Sequence, residues 1–178
     1  KLVLLGPDAR YEGSHGGVEF HPPVSAQKVL LAGDETAVPA IASILERMPE
    51  GLQGEAILEV PHADDVLTLQ APPGMRLVWR KRNGAPHGSL LEPVVKAAAA
   101  RLLPAQAGEP VQDVDVDNQI LWEVPQEPAP ASGVYAWLAG EAGVIRTLRR
   151  HLITEQGLDR RSVAFMGYWR LGRADNID

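Results

Sequence analysis

The chain has 178 residues, 45% of them apolar and 22% charged, which is enough to bury one sizeable core and is the balance of an ordinary folded domain. It holds no cysteine, so it forms neither a disulfide framework nor a thiolate metal site, and that suits a reducing, cytoplasmic compartment. Its net charge of −6 argues against a basic nucleic-acid footprint, and no apolar run reaches the ~18 residues of a membrane helix.

Lys1 to Leu5 reads as a short strand, and the opening lacks the apolar core and cleavage site of a signal peptide. The Gly-, Pro- and His-rich stretch from Gly6 to Gln27 reads as loop. Because the chain opens on Lys1 rather than Met, residues 1–27 are expected to be the tail of a preceding domain, and residues 28–178 a domain of their own. Lys28 to Ala32 is a continuous apolar strand of the kind covered on both faces. Ala37 to Met48 carries Ile41, Ile44, Leu45 and Met48 at helical spacing, ended by Pro49 and Gly51. Gly54 to Val60 is a second strand, Asp64 to Leu69 a short strand or helix, and Arg76 to Arg80 a third strand. Ser89 to Leu103 is a second helix, with Ser89 and Glu92 spaced as a capping box.

Ala105 to Ser132 is rich in Pro, Glu and Gln around one apolar patch, ILWEVP. Val134 to Ala139 is a fourth strand. Ala142 to Gln156 is a third helix, with Ile145, Leu148 and Leu152 facing inward and Arg146, Arg149 and Arg150 outward. Ser162 to Met166 is a fifth strand. The alternation predicts an α/β fold, an open and mostly parallel sheet with helices on both faces in three αβα layers. In such sheets ligands sit beyond the C-terminal ends of the strands, where the strand order reverses.

Four segments fall at that edge. In Gly33-Asp34-Glu35-Thr36, Gly33 permits a tight turn, Thr36 can cap the first helix and Pro39 fits its first turn. Asp34 and Glu35 would satisfy the helix dipole or repel a pyrophosphate. The loop is not G-x-G-x-x-G, so a dinucleotide here would meet it with the nicotinamide and ribose end. Arg80, Lys81 and Arg82 are either a solvated basic edge or an anion site suited to a ribose 2′-phosphate. Ala139, Gly140 and Glu141 precede a helix whose N-terminus offers N–H groups, or else mark close strand–helix packing. Tyr168, Trp169 and Arg170 are edge packing or a stacking platform for a planar ring. Asp113, Asp115 and Asp117 lack the glycine and glutamate of a calcium loop and read as an alternating edge strand. His15, His21, His62, His87 and His151 are scattered, and neither H-E-x-x-H nor G-x-S-x-G occurs. No metal site and no catalytic triad is expected.

The stretches VLLAGDETAVPAI, VYAWLAGEAGVIRTLRRHL and GYWRLGRAD, in this order, resemble the C-terminal half of siderophore-interacting proteins, which are flavin-dependent ferric-siderophore reductases. The resemblance spans about Leu2 to Asp175. It implies a ferredoxin-reductase-like NAD(P)H-binding domain that follows a flavin-binding β-barrel in the same protein. NADPH (or NADH) would deliver hydride to FAD, held mainly by that N-terminal domain. Electrons would then reach the ferric siderophore and release Fe(II), with cofactors rather than side chains carrying the chemistry. Gly33, Asp34, Glu35 and Thr36 would border the nicotinamide. Lys81 and Arg82, helped by Arg80, would hold the 2′-phosphate. Ala139, Gly140 and Glu141 would line the dinucleotide, and Tyr168, Trp169 and Arg170 would lie at the domain junction. This chain alone is expected to reduce no siderophore. A reductase for another acceptor, or a non-catalytic nucleotide-binding module, would carry the same features.

Overall fold

Lys28–Gly33 (β1) is apolar at every position after Lys28, which leaves it no face to turn to water, and it lies at the sheet's centre with Val29 to Gly33 buried. The computed structural model describes residues 19–103, 108–125 and 133–173. Within them Gln53–Val60 (β2), Met75–Lys81 (β3), Trp122–Glu123 (β4), Val134–Glu141 (β5) and Val163–Trp169 (β6) complete a sheet of order β3-β2-β1-β5-β6-β4. All pairs are parallel except β4, which runs antiparallel to β6. The strand order reverses between β1 and β5, so their C-terminal ends frame the switch point.

Helix Val38–Arg47 (α1) packs Val38, Ile41, Ile44 and Leu45 onto Val29, Leu31, Leu58 and Val60. Leu91–Leu102 (α2) and Ala142–Arg150 (α3) cover the opposite face, against Leu30, Ala32, Ile57 and Leu138. The three-layer α/β architecture is therefore present. Each Leu or Ile fully buried in these layers contributes roughly 1.5–3 kcal/mol.

Several elements depart from expectation, each for a local physical reason. Asp113 to Asp117 forms no edge strand. Asp115 instead accepts from Asp117 N–H (3.1 Å) and Asn118 Nδ2 (2.7 Å) and closes a turn, the alternative that Asp side chains offer a backbone. The edge strand is the two-residue β4 in the ILWEVP patch. Ser89 and Glu92 form no capping box. Ser89 Oγ donates to Pro86 O (2.7 Å), and α2 starts at Leu91 under a carboxylate from β2. Thr36 caps nothing, because its N–H and Oγ1 both donate to Asp34. Arg149 faces inward with only 4% of its side chain exposed, gripping Glu123 of β4 through Nε and Nη2 (both 2.8 Å). Beyond Arg150 the third helix widens into a π-helical turn over His151–Glu155. Residues 63–65 are a single 3-10 turn. The strand expected over residues 1–5, and His15, lie outside the described residues.

Candidate functional site

The strand ends converge on one carboxylate. Asp34, 3% exposed, follows Gly33 at the end of β1. Its Oδ1 accepts from Thr36 N–H (2.9 Å) and from Thr36 Oγ1. Its Oδ2 accepts from Glu141 N–H (2.8 Å) and from Trp169 Nε1 (2.8 Å). One side chain thus ties together the ends of β1, β5 and β6, across a bulge in the β5–β6 pairing. The glycines make room for it. A Cβ on Gly140 (φ +149°) would stand 2.7 Å from Asp34 Oδ2, and one on Gly33 would stand 2.4 Å from Ala37 Cβ. These two positions serve close packing of the chain on itself. Ala139, fully buried on β5, pairs with Gly33.

A second network lies beside the first. Arg82 binds Glu35 through both carboxylate oxygens (2.7 and 2.8 Å) and reaches Glu59 Oε1 (3.3 Å). Burial works against the charge of Glu35, but the hydrogen bonds and charge of Arg82 outweigh it and hold the carboxyl below its ordinary range. The same hydrogen bond raises the Arg82 guanidinium. Glu59 is fully buried, and it accepts from Gly88 N–H (2.8 Å), Leu90 N–H (3.1 Å) and Leu91 N–H (2.8 Å). It caps α2 from a distant strand. Glu55, two pleats back on the same face of β2, grips Arg101 in the last turn of α2 (2.8 Å). A carboxylate at the helix start and a cation near its end both suit the dipole.

Glu141 caps α3 in the same manner, its Oε2 accepting from Val144 N–H (2.9 Å) and its Oε1 from Leu171 N–H (3.2 Å). Of the three cations at the end of β3 and just beyond it, Arg82 is buried and paired. Lys81 is exposed, and half-buried Arg80 donates only to the neighbouring Trp79 O (3.0 Å). Among the described residues neither has a carboxylate partner. The expected three-cation cluster is thus two open cations and one structural arginine.

The aromatic end of β6 divides as well. Trp169, tied to Asp34, meets the His87 ring edge-on (4.8 Å, 77°), and His87 Nδ1 is buried without a hydrogen-bond partner. Tyr168 stacks on Trp122 (5.8 Å, 23°) with Trp137 at its edge. Trp122 is 49% exposed and carries the open aromatic surface at this edge. Arg170 holds the neighbouring turn through Asp117 O (3.0 Å) and Gln119 O (2.7 Å). The predicted residues Gly33 to Thr36, Ala139 to Glu141 and Trp169 therefore come together around Asp34, with Arg82 attached through Glu35. Arg80 and Lys81 stand two strands away, and Tyr168 and Arg170 turn toward β4. Sequence reasoning missed Glu59, His87 and Trp122. The first had a signal, an acid set between the apolar Leu58 and Val60 of a strand, and the last stood alone in an apolar patch.

The donor set can be weighed against a dinucleotide. A phosphate monoester fits Arg80 and Lys81, whose cations are uncompensated. The start of α2 does not suit a diphosphate, because buried Glu59 already takes its N–H groups, and at the start of α3 Glu141 takes the N–H of Val144. Among the described residues no cluster of His, Asp and Glu is arranged to hold a metal ion, and no helix is long and apolar enough to cross a membrane.

A family model described as "Siderophore-interacting protein" matches residues 26–172. The chain is similar to the ferric vibriobactin reductase ViuB of Vibrio cholerae, 29% identical over 81% of this chain and 43% of that protein. It superposes on a siderophore utilization protein from T. fusca with a TM-score of 0.61 and 31% identity, over 89% of this chain and 49% of the other. The siderophore-interacting protein SipS of Aeromonas hydrophila gives the same TM-score of 0.61 at 28% identity, over 90% of this chain and 52% of its own. The chain spans about half the length of the curated relatives it matches.

Proposed function

The chain belongs to the siderophore-interacting protein family, and from that premise we propose that it is the pyridine-nucleotide-binding domain of a flavin-dependent ferric-siderophore reductase. The observation that carries the reading is the open pair of cations, Arg80 and Lys81, at the C-terminal end of β3 in an otherwise acidic chain. The likeness to a ferric vibriobactin reductase supports the choice of substrate. When bound, NADPH and a flavin supply the hydride and single-electron chemistry, with the ferric siderophore as substrate. The chain's own residues hold and orient. Arg80 and Lys81 take the 2′-phosphate. Asp34 fixes the turn after β1 and the indole of Trp169. Tyr168 with Trp122 presents an aromatic face to the flavin-binding domain that precedes this one in the proposed full-length protein.

Titration with NADPH tests the reading through tryptophan fluorescence, because Trp79 adjoins Arg80. Saturable quenching is expected, and a flat response to both NADPH and NADH would refute coenzyme binding by this domain. With free flavin and NADPH added, the chain by itself is expected to leave a ferric siderophore unreduced.

A further inference from the structure

We infer that Asp34 sets an uncompensated negative charge against the nicotinamide ring, so that the domain binds the oxidised coenzyme, whose ring is a cation, more tightly than the reduced one. The inference rests on the coenzyme reading above and deepens it. Three carboxylates are buried among the described residues, those of Asp34, Glu55 and Glu59. Glu55 is paired with Arg101 (2.8 Å) and Arg76 (3.6 Å), and Glu59 with Arg82 (3.3 Å). Asp34 has no such partner among the described residues. Its four donors, Thr36 N–H and Oγ1, Glu141 N–H and Trp169 Nε1, are all uncharged. They satisfy its oxygens and leave its charge in place. A buried charge without a counter-charge costs stability, and proteins keep such costs at functional sites.

The cations of this edge are engaged elsewhere. Glu35 and Glu59 hold Arg82. Arg170 and Arg173 turn to main-chain oxygens of the turn at Asp117 and Gln119. Arg80 and Lys81 stand at the end of β3, two strands from β1. Glu141, beside Asp34, accepts only the N–H groups of Val144 and Leu171 and adds to the same sign. Asp34 is thus the centre of a negative potential at the switch point, where α/β sheets seat their ligands. With the 2′-phosphate at the end of β3, the nicotinamide end of the coenzyme extends toward the crevice between β1 and β5. Handing a hydride to the flavin takes two electrons and one proton from the ring and leaves the ring one positive charge. A fixed negative charge favours that state. At an effective dielectric constant of about 20, one such charge shifts the balance tenfold out to a separation of about 12 Å.

Calorimetric titration of the whole chain with NADP+ and with NADPH reads the preference directly, at about pH 8, above the ordinary histidine range. NADP+ should bind about tenfold more tightly than NADPH. Asp34→Asn removes the charge at nearly constant shape and should cut that ratio at least about fivefold. The same variant should bind adenosine 2′,5′-bisphosphate, which has no nicotinamide ring, as the unaltered chain does. If the variant does not fold, the ratio in the unaltered chain decides by itself. Equal binding of the two forms by the unaltered chain, or tighter binding of NADPH, would overturn the inference and leave the coenzyme reading standing. So would a ratio that a folded Asp34→Asn protein leaves unchanged. Failure of both NADP+ and NADPH to bind would overturn the coenzyme reading and the inference with it.

Discussion

Glu59→Ala tests how the fold builds this edge. The Glu59 carboxylate is fully buried and accepts three backbone N–H groups at 2.8–3.1 Å and Arg82 Nη1 at 3.3 Å. Alanine leaves three donors at the start of α2 without an acceptor, each costing roughly 1–3 kcal/mol where water cannot reach it. Loss of a helix cap alone costs about 1 kcal/mol, and loss of one partner of a buried ion pair about 3–5 kcal/mol. These costs overlap, and Arg82 keeps its two bonds to Glu35, so the net loss should be about 3–5 kcal/mol. For a domain of this size that lowers Tm by roughly 6–20 °C. Glu59→Gln retains one acceptor but turns an amide donor toward another donor, and should fall about midway. Thermal and urea unfolding followed by circular dichroism gives the values. Ser89→Ala is the internal control. Its hydroxyl serves only Pro86 O on an exposed loop, so its removal should change stability by less than about 0.5 kcal/mol. A Glu59→Ala protein within about 1 kcal/mol of wild type, or a Ser89→Ala protein less stable than it, would refute capping from β2.

Gly140→Ala should destabilise by about 2–4 kcal/mol, because its Cβ would meet Asp34 Oδ2 at 2.7 Å from a backbone at φ +149°; chemical denaturation measures the loss. Arg149→Ala should lower stability by about 2–3 kcal/mol and Arg150→Ala by less than about 0.5, since the first is buried against Glu123 and the second is exposed; equal effects would contradict the inward placement of Arg149. At acid pH, Glu35 releases its proton more readily folded than unfolded, so its contribution is present above its ordinary value of 4.5 and is lost as pH falls through the lower folded value. Glu35→Gln should flatten that limb of a plot of Tm against pH. At alkaline pH, burial keeps the Tyr135 phenol above its ordinary 10.0, against an opposing hydrogen bond from His21 N–H. That contribution is full below about pH 10 and is lost as pH rises through the folded value, a loss that Tyr135→Phe should reduce.

Much of the fold was legible because its signals are local. The apolar run of β1, the spacing of Ile41, Ile44 and Leu45, and the glycines at the strand ends each act over a few residues, and the α/β class follows from their alternation. The tight turn after β1, the fit of Pro39 in the first turn of α1 and the position of the LAGDET, WLAGE and GYWR blocks at one sheet edge were readable in the same way.

The partners of the charged groups were not readable, because they lie far away in the chain. Ser89 and Glu92 have the spacing of a capping box, yet the cap of α2 comes from Glu59, more than thirty residues earlier. Arg80, Lys81 and Arg82 look alike in sequence. Arg82 alone meets Glu35, 47 positions back, and becomes structural. Arg149 looks like its neighbour Arg150 until β4 brings Glu123 against it. The sequence by itself determined the layers, the mostly parallel direction of the strands and the edge at which the strand order reverses, since hydrophobic periodicity and turn chemistry are short-range. Only the tertiary structure decided which carboxylates close the helix starts and which cations stay open. A buried charge takes whatever partner the packing of distant strands brings within 3 Å, and no local pattern encodes that distance.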